Sequence, residues 1–154
     1  VKPECPEEFT TDFGRQLVEY LGGDSAPIEN YWCWKHFAKH YPELREKAER
    51  YFETATTGNP AYAAYCMAHY CGSDREWAER IIERTTIGDP AEAAYAMVCD
   101  CGSDRKWAER IIERAETGDP AEAAFQLVYN AGADPEWAEC VSRKFDTTKE
   151  QNNA

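Results

Sequence analysis

Four side chains in this sequence have the types and spacing to hold a metal ion: Cys33, His36, His40 and Cys66. The first three recur at i, i+3 and i+7, along one face of a helix. Cys66 follows His36 by 30 residues, the period at which the chain repeats itself. Zinc takes thiolate and imidazole tetrahedrally, so the set would form a Cys2His2 site. One helix rarely supplies three ligands, however, and no carboxylate is placed to orient the imidazoles. The plainer reading is surface histidines and half-buried thiols. Cys71 and the pair Cys99 and Cys101 raise redox chemistry in the same way. Packed helices lie about 8–10 Å apart, and a disulfide needs Cα atoms within about 7 Å. None of the seven cysteines is in a CxxC pair, so reduced thiols serving as small apolar side chains are expected. No nucleophile–base arrangement has independent support, and no GxGxxG or GxxxxGK loop occurs. No catalytic residue is assigned and no cofactor is expected.

The remaining chemistry is recognition. Glu79, Arg80 and Arg84 recur as Glu109, Arg110 and Arg114, so stacking in register would set carboxylates and guanidinium groups in rows. Such rows line the extended surfaces on which repeat proteins dock a helix or peptide. They are equally the pattern of a solvated face laced with i,i+4 pairs such as Glu76 with Arg80. Trp32 and Trp34, in the stretch Asn30 to His40, are either aromatic anchors for a partner or a bulkier junction in an atypical first repeat.

These residues are positioned by a repeat. Gly58 to Ile87 and Gly88 to Thr117 agree at 20 of 30 positions without a gap. Gly118 to Thr147 keeps GDPAEAA, Gly132-x-Asp134 and Trp137-Ala138-Glu139, and Ala48-Glu49-Arg50 falls in register with Ala78-Glu79-Arg80. Four copies therefore span 28–57, 58–87, 88–117 and 118–147. Residues 1–27 carry Phe9, Phe13, Leu17 and Leu21 at four-residue intervals, the stripe of a capping helix, and 148–154 read as a polar flexible tail.

Each copy reads as helix, tight turn, helix. Asn59-Pro60, Asp89-Pro90 and Asp119-Pro120 combine an N-cap with a first-turn proline, and Gly72, Gly102 and Gly132 end the first helix. Asp74, Asp104 and Asp134 open the second. There Trp77, Ala78, Ile81 and Ile82 form one apolar stripe, opposite Glu79, Arg80, Glu83 and Arg84. The predicted fold is all-α: a right-handed α-α superhelix, or solenoid, of four helix-turn-helix repeats behind an N-terminal capping helix.

Asp-Pro at the helix start, an Ala-Ala pair within it, Gly-x-Asp at the turn and Gly-Asp before the next copy resemble the short HEAT-like repeats of phycobilin-lyase-type proteins. The resemblance covers 58–147 well and 28–57 weakly. The second helix departs from it, being built on Trp-Ala-Glu-Arg-Ile-Ile. The resemblance implies the architecture and no particular activity. The net charge of −12 disfavours direct nucleic-acid binding. No apolar run is long enough to span a membrane, and VKPECPEEF has no signal-peptide h-region, so a cytoplasmic protein is expected. The expected function is a non-catalytic scaffold or adaptor that binds another protein. The alternatives are metal binding through the Cys/His set and an acidic mimic of nucleic acid that occupies a basic protein.

Overall fold

In the computed structural model the described residues are Asp12, Gln16, Lys35, 37–39 and 41–152, with side chains described as far as Phe145. A 3-10 turn, Pro42–Leu44, leads into α1 (Arg45–Thr54). There follow α2 (Pro60–Tyr70), α3 (Arg75–Arg84), α4 (Pro90–Cys101), α5 (Arg105–Arg114), α6 (Pro120–Ala131) and α7 (Pro135–Asn152). No strand occurs among the described residues. The fold is the expected α-solenoid, with α2, α4 and α6 as first helices and α1, α3, α5 and α7 as second helices.

The local signals act as their chemistry dictates. The side chains of Asn59, Asp89 and Asp119 accept the backbone N–H three residues on, at 3.2, 3.0 and 3.1 Å, with proline at the next position. Asp74 and Asp134 cap the second helices by accepting the backbone N–H two residues on, whereas Asp104 makes no side-chain cap bond. Each first helix closes with a glycine at φ of 73–76°, and the next N–H reaches back to Met67, Met97 or Leu127, the Schellman closure that satisfies otherwise orphaned carbonyls. The last second helix, α7, continues as helix to Asn152, into the span expected as a flexible tail.

Core and stacking follow from side-chain size. Ala61, Ala63, Ala64, Ala91, Ala93 and Ala94 are wholly buried, as are Met67, Met97 and Leu127. With methyl groups between them, the backbones of α2, α4 and α6 approach directly, first helix to first helix. The second helices turn Trp77, Ile81 and Ile82, then Trp107, Ile111 and Ile112, into the same core. Their bulkier side chains hold α3 and α5 further apart, so the first-helix layer is the more closely spaced of the two.

Candidate functional site

Most polar residues repeated on the second helices are engaged in holding one copy to the next. The Trp77, Trp107 and Trp137 indoles donate to Glu53, Glu83 and Glu113 at 2.9, 2.7 and 2.6 Å, each across 24 residues. Ser73 and Ser103 donate to Glu49 and Glu79 at 2.7 and 2.8 Å. Arg45, Arg75 and Arg105 pair with the carboxylates four residues on, Glu49, Glu79 and Glu109, at 3.5–3.8 Å. The same guanidinium groups donate to the carbonyls of Gly72, Gly102 and Gly132 in the following copy. Arg84 donates to the Glu53 carbonyl at 2.8 Å, Arg114 to that of Glu83 and Lys144 to that of Glu113 at 2.8 Å. Cations therefore sit at the negative ends of helix dipoles throughout.

Of the contact residues expected from the sequence, Glu79, Arg84, Glu109 and Arg114 thus take part in these interhelical or intrahelical bonds. Arg80 and Arg110 do not. Both are exposed, with no side-chain hydrogen bond or ion pair among the described residues, and Arg50 precedes them in the same register. The expected Glu76–Arg80 pair does not form; the i,i+4 pair on this helix is Arg75–Glu79. Trp32, Trp34, Cys33, His36 and His40, and all of the leader but Asp12 and Gln16, lie outside the described residues. Cys66, the remaining member of the metal set, is buried on α2, and burial pushes its thiol well above the ordinary range. No group of three or more metal-ligating side chains forms among the described residues.

Comparison with protein-family models, with curated proteins and with solved structures returns no match.

The outer face of the first helices is the surface that sequence reasoning missed. Tyr62, Glu92 and Glu122 share one level; Tyr65, Tyr95 and Phe125 the next; His69, Cys99 and Tyr129 the third. The Tyr62 and Tyr65 rings lie 5.4 Å apart, and Tyr65 stacks on His69 at 5.8 Å and 9°. The Tyr65 hydroxyl donates to Asp100 on the neighbouring helix, and Asn130 donates to the Tyr95 hydroxyl at 2.8 Å. Burial pushes Tyr62 up to about 12 and raises the Glu92 carboxyl, with Asp89 the second cause for Glu92. Tyr129 is 82% exposed. The available signal was the i, i+3, i+7 spacing of these residues, which is obscured because Tyr65 and its equivalents also look like core.

The edge where copies meet holds a cleft of about 400 Å³ lined by Phe52, Thr54, Thr56, Arg84 and Thr86 among others. Arg84 is committed there to the Glu53 carbonyl, and no nucleophile–base pair faces the space. The five described cysteines are free thiols. No described helix is long and apolar enough to cross a membrane.

Proposed function

We propose that this protein is a non-catalytic interaction scaffold whose second-helix face binds a partner protein through Arg50, Arg80 and Arg110. One observation carries the reading. Among the described second helices, this is the only position where a basic residue recurs three times and no copy's side chain bonds within the stack. A guanidinium fork suits carboxylates of an acidic partner segment. In this reading the unit is a short HEAT-like one, in keeping with its Asp-Pro, Ala-Ala and Gly-x-Asp elements.

Affinity capture from source lysate, wild type beside the R80A/R110A variant, tests the assignment. A partner held by the wild type and lost by the variant is expected, with stability unchanged to within about 0.5 kcal/mol, as for free surface side chains. R84A supplies the contrast: loss of its helix-end contact lowers stability by about 1 kcal/mol. Equal capture by wild type and R80A/R110A would remove the arginine row from the binding surface.

A further inference from the structure

We propose that the outer face of the first helices binds a lysine- or arginine-rich segment of a partner protein, a second surface that rests on the scaffold reading. The charge distribution is one-sided. No lysine or arginine occurs in 51–74, 85–104 or 115–142, the stretches that contain α2, α4 and α6. Glu92 and Glu122 are exposed there, one helix apart in the same register, and no cation among the described residues pairs with either. Gln126 alone donates to Glu122, at 2.9 Å. The second helices, by contrast, interleave both signs.

Aromatic rings lie among these carboxylates. Tyr62 and Tyr95 are half-buried, and Tyr129 stands almost free. Tyrosine faces attract ammonium and guanidinium groups through the ring quadrupole. The chain itself shows the mode: Lys35 Nζ sits 5.7 Å from the centroid of Tyr70, at the end of α2. Partial desolvation of the carboxyl and the neighbouring Asp89 raise Glu92, and an incoming cation would offset both. A neutral apolar segment would leave the carboxylates desolvated and unpaired, and an acidic one would be repelled.

The probe is a fluorescein-labelled peptide of alternating arginine and serine, titrated by anisotropy at about 0.15 M salt, where screening suppresses attraction to net charge alone. Saturable binding to the wild type is expected. E92Q/E122Q/Y129A should weaken it about tenfold, the scale set by two ion pairs and one ring contact. The control E76Q/E136Q removes the same charge from the second helices and should change affinity less than about twofold. Circular dichroism confirms that the variants stay folded. Equal weakening by both variants would reduce the effect to net charge and overturn the proposal, as would an absence of saturable binding. R80A/R110A should leave peptide binding intact even where it abolishes capture from lysate, so failure of either surface is distinguishable from failure of the other.

Discussion

At Gly88 two constraints meet in one residue. Its φ is +70°, and a Cβ there would lie 2.4 Å from Asn59 Oδ1. Asn59 is held at that distance because its side chain accepts from two backbone N–H groups, Tyr62 in its own helix and Asp89 at 3.1 Å in the next copy. Asp89 repeats the arrangement toward Asp119 at 3.4 Å, so the caps form a ladder along one edge of the stack. At Gly72, φ is +76° but the nearest atom to a Cβ is the flexible Arg45 Nη1 at 3.7 Å. Gly72→Ala is expected to cost about 1 kcal/mol, the left-handed strain alone. Gly88→Ala should exceed that by about 1 kcal/mol or more, because a helix cap and an interhelical bond are lost with it. Urea denaturation of the two variants side by side measures the difference. The N-caps were legible from Asx-Pro. Their second bond was not, since it joins residues 30 apart whose approach only stacking produces.

Helix against helix, side-chain volume does the sorting. Ala94 is fully buried in α4, between helices whose backbones come together. Ala94→Leu inserts methylene groups where no space exists and is expected to destabilise by about 1–3 kcal/mol, read as a fall in the melting temperature. The second helices meet instead through tryptophan and glutamate. There the periodicity located the apolar stripe correctly, as the burial of Trp77, Ile81 and Ile82 shows. It could not show that Glu53 and Glu83 face the indole nitrogens of the next copy. A glutamate opposite an apolar stripe looks the same on paper whether it is solvated or bonded across 24 residues. The α1 helix illustrates the converse. Its apolar stripe departs from the repeat, but Arg45, Glu46, Ala48, Glu49, Arg50 and Glu53 match α3, and Glu49 and Glu53 receive the bonds that Glu79 and Glu83 receive one copy later.

Across the whole molecule, stability is a sum of such neighbour interfaces, and several bury weak acids. Burial is the leading cause that pushes the Cys71 thiol to about 12 and the Cys101 thiol to about 11, from an ordinary 9.0. Tyr62 moves to about 12 from 10.0 for the same leading cause. These groups bind their protons more tightly in the folded chain than in the unfolded one. Their contribution to stability is therefore complete below about pH 9 and is lost as pH climbs through 11 to 12. Thermal melts should show a melting temperature that declines across that window. C71A/C101A should flatten the decline, and alanine already stands in the equivalent position at Ala131. A wild-type profile that stays level above pH 9 would contradict the buried-thiol account.

The repeat period, the helix ends and the apolar stripes were determined by the sequence alone. Each depends on residues within a turn or two of one another: Asx-Pro to start a helix, glycine at positive φ to stop it, tryptophan and isoleucine at helical spacing to face the core. Which charges are structural and which are free was decided only by the tertiary structure. Arg80 and Arg84 lie on the same helix, four residues apart, and differ in sequence by nothing that marks their roles. Stacking brings a helix C-terminus within 2.8 Å of Arg84 and nothing to Arg80. The same stacking gathers Tyr62, Glu92, Tyr95 and Glu122 from separate copies onto one face. Distances between copies are set by the size of the alanines buried between them, a property of the assembled layers rather than of any single repeat.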